Sequence, residues 1–272
     1  MIKVVKWHRK KPLTWAQFFI LIALMLLAQV FARGTEVAAH RCGAGIAPEN
    51  TLAAAHRCIE LGVPWVEIDV RSSKDGVFYL MHDRTVDRTT DGTGALDELT
   101  SDYIYSLDAG SWFDPRYTGE KVPRLRDFLR DARGKLKVYL DYKGGDITEL
   151  VRLIQEMDMA RDMLFFFTLP QDIQQFRRLA PDWPLKVTLG PRDNVPDLVD
   201  RWRPAVIECL RHQMTDAFIE ACKTLQVKTM LYDLRRDEKT FKFIAEHQPD
   251  YVVTDYPDLL LRYLREQHFQ TH

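Results

Sequence analysis

A six-residue connection constrains this chain more than any other feature. Between the apolar runs WVEIDV (65–70) and VFYLMH (77–82) lie only RSSKDG, with Asp75-Gly76 at the turn. A parallel crossover needs a dozen residues or more, so these two runs form a hairpin. Around them the chain alternates further short apolar runs with longer amphipathic stretches. The runs are EVAAH (36–40), LKVYLD (136–141), LFFFT (164–168), LKVTL (185–189), AVIEC (205–209), KTMLY (228–232) and YVVTD (251–255). The amphipathic stretches include 49–61, 146–157, 171–179, 215–225 and 237–247. Such alternation builds a parallel sheet with helices outside it. Setting aside the returning arm of the hairpin leaves eight strands. The expected fold is therefore α/β, a TIM (β/α)8 barrel over residues 34–272, with the β-hairpin and a small insertion after its second strand. A doubly wound open sheet is the alternative, but no glycine-rich phosphate loop follows the first strand.

Two segments of different character precede that body. Residues 1–12 form a basic tip holding Lys3, Lys6, Arg9, Lys10 and Lys11 and no acid. Residues 13–33 contain LTWAQFFILIALMLLAQVFA, which is unbroken apolar sequence from Phe18 to Ala28. About 20 such residues span a bilayer as a helix, and flanking Lys/Arg keep the N-terminal end in the cytoplasm. The expectation is one N-terminal transmembrane helix, a single-pass membrane anchor, with the body on the extracytoplasmic side. The ending Val30-Phe31-Ala32 also resembles a small-residue cleavage site, so a secreted or periplasmic body after signal cleavage is the alternative. An uncleaved anchor leaves only Arg33, Gly34 and Thr35 before the first strand, about 10 Å of extended chain. The barrel's bottom would then lie near the headgroups, and its top would open away from its own membrane.

The formal charge of −1 hides a basic tip on an acidic body. Of 38 basic residues, the five of the tip and Arg33 precede Gly34, leaving 32 against 39 acids, a net of −7. Nothing in such a body neutralises a run of phosphates, so nucleic acid is excluded as its main partner. Cys42, Cys58, Cys209 and Cys222 show no CxxC or CxxH spacing, which supports neither a zinc site nor a dense disulfide framework.

In barrels of this kind, chemistry sits at the C-terminal ends of the strands. There the sequence places His40-Arg41, Glu67-x-Asp69, Asp141-x-Lys143, Glu208 and Thr254-Asp255, with His82-Asp83 ending the hairpin arm. Residues two apart on a strand share a face, so Glu67 joins Asp69 and Asp141 joins Lys143. Three carboxylates converging without cysteine or a dense histidine cluster suit a hard divalent cation, Mg²⁺ or Ca²⁺. Two histidines beside it suit a general acid and base, and a lysine suits a phosphate. Singly, E-x-D is an ordinary ion-pair site and His-Asp an ordinary surface hydrogen bond. Their agreement at one rim is what points to a site. Glu49 and Asn50 are read as caps of the helix after the Pro48 turn, Asn50 through its side-chain oxygen. His8, His56, His212, His247, His268 and His272 fall on tails or helical stretches and are read as non-catalytic.

The stretch AHRCGAGIAPENTLAAAHRCIELGVPWVEIDVRSSKDGVFYLMHDRTVDRTTDGTG resembles the glycerophosphodiester phosphodiesterase family. That family's pattern runs His-Arg-Gly, Pro-Glu-Asn-Thr, Glu-x-Asp, a Lys-Asp-Gly turn, His-Asp and Arg-Thr-Thr. Further on, DAGSWFDPRYTGEKVPRLRDFL resembles its insertion and following helix, and YVVTDYPDLL its closing Thr-Asp-x-Pro strand. The likeness runs from Glu36 to Leu260, densest over 39–94 and weak over 160–225.

The resemblance implies a TIM barrel and metal-dependent hydrolysis of a small-molecule glycerophosphodiester to glycerol 3-phosphate and an alcohol. It carries metal binding to Glu67, Asp69 and Asp141, acid–base catalysis to His40 and His82, and phosphate binding to Arg41 and Lys143. Three positions depart from the pattern. Cys42 stands in place of glycine, Asp141-Tyr142-Lys143 replaces Glu-x-Lys, and Leu231-Tyr232-Asp233-Leu234 replaces Trp-Thr-x-Asn. Cys42 reads as a small residue filling the glycine's place, with a covalent nucleophile as the competing reading. Two other function classes stay open. One is a lysophospholipase D-like enzyme on lipid substrates, and the other a membrane-tethered, non-catalytic binding protein. The intact histidines and carboxylates speak against the second.

Overall fold

Side chains alternate faces along a strand, and here that alternation divides two apolar layers. Ala38, Trp65, Tyr139, Leu164, Val206, Met230, Tyr251 and Val253 pack together on one side. Their chain neighbours, among them Val37, Val66, Val138, Phe165, Ile207, Leu231 and Val252, pack on the other side with the helices. Both faces of every strand are thus covered, as a parallel sheet requires.

The computed structural model describes residues 34–270. The expectations for residues 1–33, basic tip and transmembrane helix alike, lie outside the described residues. Among the described residues no helix is long and apolar enough to cross a membrane.

The strands are β1 (Glu36–Ala39), β2 (Trp65–Ser72), β3 (Phe78–Leu80), β4 (Lys137–Gly144), β5 (Met163–Phe167), β6 (Lys186–Thr188), β7 (Val206–Leu210), β8 (Lys228–Tyr232) and β9 (Tyr251–Thr254). Eight of them pair in the order β5-β4-β2-β1-β9-β8-β7-β6, and β3 pairs β2 from outside that path. The chain ends meet along four residue pairs, Glu36–Tyr251 to Ala39–Thr254, all parallel. On the opposite side β5 and β6 touch through a single parallel bridge, Phe165–Leu185, with Phe165 N donating to Pro184 O at 2.9 Å. The ring is a TIM barrel, not the open doubly wound sheet that was the alternative.

The hairpin forms as the short connection requires, antiparallel from Val70–Leu80 to Ser72–Phe78. Its turn holds Gly76 at φ +83, a left-handed conformation that glycine adopts without steric cost. Asp75 accepts from Ser73 Oγ at 2.8 Å and from Ser101 N at 2.9 Å, tying the turn to the insertion behind it. That insertion has its own small core of Tyr79, Met81, Val86, Leu96, Ile104, Leu107, Ala109 and Val122.

Helices fill most crossovers and begin where a polar cap precedes an apolar face. Asp146 accepts from Thr148 N at 2.8 Å ahead of Ile147–Met157, and Thr215 from Phe218 N at 3.2 Å ahead of Asp216–Thr224. The helix after Pro48 differs from expectation. It spans Leu52–Leu61, and its cap is Thr51, whose Oγ1 accepts from Ala54 N at 3.2 Å. Asn50 sits at φ +57, outside the helix, with its side chain engaged elsewhere.

Candidate active site

The inward parity set by the lower apolar layer continues upward and delivers the polar residues. Trp65 leads to Glu67 and Asp69, Tyr139 to Asp141 and Lys143, Leu164 to Phe166, Val206 to Glu208, and Met230 to Tyr232. With His40, Arg41, His82, Lys186 and Val253 they line a cavity of about 200 Å³. All seven residues to which the resemblance gives a role, and Glu208 with them, are therefore brought to one place. Asp255 and Asp83 serve it through the histidines, whereas Thr254 bonds locally to Tyr256 N at 3.2 Å.

Glu67, Asp69 and Asp141 each offer an oxygen within 4.8 Å of the others. Glu67 and Asp69 are buried. Burial, then the charges of Asp69 and Asp141, hold the Glu67 carboxyl well above the usual range. Burial raises Asp141 as well, against the pull of Lys143. Asp141 Oδ1 is buried and has no hydrogen-bond partner. Repelling carboxylates, one with an orphaned oxygen, suit a divalent cation with oxygen ligands. Lys143 Nζ lies 2.7 Å from Asp141 Oδ2 and 3.2 Å from Asp69 Oδ1. Burial works against its charge, but those two carboxylates hold its pKa above the ordinary lysine value.

β1 ends at Ala39, and His40–Cys42 form a tight 3-10 turn instead of continuing the strand. Arg41 and Cys42 take left-handed φ of +48 and +62 before Gly43 at +95. That turn aims the Arg41 backbone N–H at Glu67 Oε2, 2.6 Å away. It also explains why glycine suits position 42. The Cys42 side chain is fully buried, and burial, followed by Cys58, Glu67 and Asp69, raises its thiol pKa well above the ordinary value. Full burial, away from the residues that line the cavity, speaks for the small-residue reading of Cys42 and against the nucleophile.

Each site histidine is held by a carboxylate at Nδ1. His40 Nδ1 lies 2.7 Å from Asp255 Oδ1, and its Nε2 lies 3.5 Å from the Tyr232 hydroxyl. His82 Nδ1 lies 2.7 Å from Asp83 Oδ1. Such a partner fixes the ring and the tautomer, leaving Nε2 to work. Asp83 also accepts from Arg88 Nε at 2.6 Å, and the Arg88 bonds hold its pKa well below the usual carboxylate range. Arg88 donates to Glu49 at 2.9 and 2.7 Å, and Glu49 accepts from Arg41 at 3.0 Å. Burial would raise the Glu49 pKa, but bonds from Arg88 and Arg41 bring it below the usual value.

Glu49 is therefore a bridge between arginines, not a helix cap. Asn50, read as a cap, instead donates to Asp69 Oδ2 at 2.8 Å and accepts from Asp69 N at 3.1 Å. Its left-handed backbone turns the side chain away from the helix and onto β2.

Lys186 was not foreseen. It lies 1 % exposed, with Nζ 2.7 Å from Glu208 Oε1, 3.0 Å from Thr188 Oγ1 and 3.5 Å from the centre of the Phe166 ring. The signal was present in LKVTL. In a strand covered on both faces, the polar parity must point into the barrel.

An eight-stranded barrel with imidazoles, carboxylates and cations gathered at the C-terminal ends of its strands has the build of a TIM-barrel enzyme. A profile of the Glycerophosphoryl diester phosphodiesterase family matches residues 40–259. The chain belongs to that family and is an enzyme, a phosphodiester hydrolase. It is 30% identical over 247 residues to a glycerophosphodiester phosphodiesterase of Caldanaerobacter subterraneus subsp. tengcongensis, covering 85% of this chain and 98% of that one. A crystal structure of glycerophosphodiester phosphodiesterase from Agrobacterium tumefaciens superposes with a TM-score of 0.81 at 35% identity, over 84% of this chain and 99% of that one. An Oleispira antarctica phosphodiesterase, solved with the product sn-glycerol-3-phosphate, shares the fold at TM-score 0.78 and 24% identity, over 86% and 98% of the two chains.

Proposed function

We propose that this enzyme hydrolyses glycerophosphodiesters to glycerol 3-phosphate and an alcohol, with His40 and His82 as its acid–base pair. The carrying observation is the carboxylate trio with the orphaned Asp141 Oδ1, set between two carboxylate-held histidines. Glu67, Asp69 and Asp141 would hold Mg²⁺ or Ca²⁺. A bound cation of that kind supplies Lewis-acid polarisation of a phosphoryl oxygen.

The residues supply the rest. Arg41 Nε is buried without a hydrogen-bond partner, 3.8 Å from Asp69 Oδ2, and Arg41 and Lys143 both line the cavity, so both suit the phosphate oxygens. One histidine takes the proton of the neighbouring glycerol hydroxyl as that oxygen bonds to phosphorus. The other gives its proton to the leaving alcohol oxygen as the P–O bond breaks. Water then opens the cyclic phosphate with the two proton roles reversed. Preorganised cations around the equatorial oxygens matter most in such a transfer.

A panel of glycerophosphodiesters and lysolipids, each with Mg²⁺, Ca²⁺ or EDTA, tests the reading. Hydrolysis of the water-soluble diesters that EDTA abolishes is expected. Preference for lysolipids would move the activity to the lysophospholipase D class, and no turnover of any substrate would leave a binding protein.

The basic tip and apolar run also support a single-pass anchor with the barrel outside the cytoplasm, the orientation expected from the short tether being a further point to test. Intact mass of the membrane-extracted protein checks this, since a mature chain beginning near Arg33 removes the anchor. Efficient turnover of lysolipids in the same vesicle would refute the orientation.

A further inference from the structure

We propose that Glu208 reads the glycerol half of the substrate, accepting a hydrogen bond from its terminal hydroxyl, and that Lys186 holds Glu208 for this task. The inference rests on the diester-hydrolysing reading above and adds which end of the pocket takes which half of the molecule.

The two ends of the cavity differ. Toward β6 and β7 it is closed, with Lys186 at 1 % and Glu208 at 8 % exposure beneath Phe166 and Tyr232. Toward the hairpin it is open. The His82 side chain is 33 % exposed there, and Lys143 is shared with a groove of about 360 Å³ lined by Arg71, Lys74 and Arg84. A glycerophosphodiester has one small constant half and one variable half. The constant half fits the closed end, and a variable alcohol needs the open one.

At the closed end Lys186 is already saturated by Glu208, Thr188 and the Phe166 ring, so it has no donor left for a ligand. Glu208 is not. Both of its bonds, from Lys186 Nζ at 2.7 Å and Thr188 Oγ1 at 3.1 Å, fall on Oε1. No described group donates to Oε2, and Oε2 is not among the buried atoms lacking a partner, so it is reached from the cavity that Glu208 lines. The result is an acceptor oxygen whose carboxyl group is fixed in place by Lys186 and Thr188. Because Glu208 already has Lys186 as its ion-pair partner at 2.7 Å, a second cation would crowd the lysine, and the donor the site suits is a neutral hydroxyl, not an ammonium group.

The test compares glycerophosphocholine with 2-hydroxypropyl phosphocholine, which keeps the attacking hydroxyl but lacks the terminal one. The wild type should prefer the glycerol compound in kcat/KM by about 10- to 100-fold, the worth of a hydrogen bond to a charged acceptor. The paired replacement Lys186→Met/Glu208→Leu removes both charges together, and the preference should shrink to about threefold or less. An undiminished preference, or an equal loss on both compounds, overturns the proposal, the latter showing a purely structural pair. If the double variant does not fold, calorimetric binding to the wild type of glycerol 3-phosphate against 2-hydroxypropyl phosphate decides. Equal affinities overturn the assignment. Failure of the diester reading itself shows separately, as no wild-type turnover of either compound.

Discussion

The barrel mouth has two halves of opposite character. The strands β5, β4, β2 and β1 bring the carboxylate trio, Arg41 and Lys143, a set whose charges repel or stay partly unpaired, as Asp141 Oδ1 and Arg41 Nε show. The strands β9, β8, β7 and β6 bring Lys186, Thr188, Glu208, Tyr232 and Asp255. There the lysine and glutamate pair with each other, and Asp255 and Tyr232 grip His40 from the adjoining strand ends. A half with unmet charge is built to be completed by a ligand, whereas in the matched half the ion pair fixes its shape and with it the one acceptor, Glu208, offered to substrate. Substitutions in the two halves should therefore fail in different ways.

The largest effect is expected on rate with the fold retained. His40→Ala and His82→Ala should each lower kcat by about 10²- to 10⁴-fold, the range of general acid–base catalysis, measured on protein whose circular dichroism matches wild type. Near-normal turnover in either variant would remove that residue from the mechanism. Across the mouth the loss should fall on stability instead. Lys186→Met strands the buried Glu208 carboxylate and should cost about 3–5 kcal/mol in urea unfolding. Removing Glu208 at the same time should recover most of that. A Lys186→Met barrel as stable as wild type would mean the pair is not the internal prop described.

A smaller effect concerns pH. The Glu67 carboxyl is raised in the fold, so it binds its proton more tightly native than unfolded. Its contribution to stability is full below the unfolded value of about 4.3 and is lost as pH rises through the folded value. In EDTA, Tm should fall as pH rises above the unfolded value of about 4.3, and both Glu67→Gln and saturating Mg²⁺ should flatten that fall. Parallel slopes for wild type and variant would place Glu67 among ordinary carboxylates.

The smallest effect is expected at Cys42. Cys42→Gly relieves a left-handed backbone while giving up a buried thiol, so stability should change by about 1 kcal/mol or less. A drop in kcat beyond about tenfold would restore a chemical role to the sulfur.

The two halves were also unequally legible. Glu67, Asp69, Asp141 and Lys143 announce themselves because carboxylates and a lysine at spacing two, on strands otherwise apolar, must share one face. The hairpin followed from a connection too short for a crossover. Lys186 hid in a run that reads as an ordinary half-exposed strand, and only closure of the ring, which buries both faces of β6, turns it inward. Asn50 and Glu49 were misassigned because a cap is judged from local sequence. Their partners, Asp69 and Arg88, lie 19 and 39 residues away.

The thin joint between β5 and β6 has a mechanical consequence. Each four-strand half is a continuous ladder, and the two halves meet along four residue pairs at β1–β9 but by one bridge on the far side. Such a ring has the joints of a clamp, firm where the first and last described strands pair and thin at the opposite seam, its jaw. Phe166 and Lys186 stand on the two lips of that jaw, an ammonium resting 3.5 Å from a ring centre. On the reading proposed above, a molecule held by Lys143 of β4 and Glu208 of β7 would bridge that jaw from the strands behind its lips. Filling the pocket would then brace the thin seam, and ligand at many times its Kd would stabilise the whole barrel by mass action.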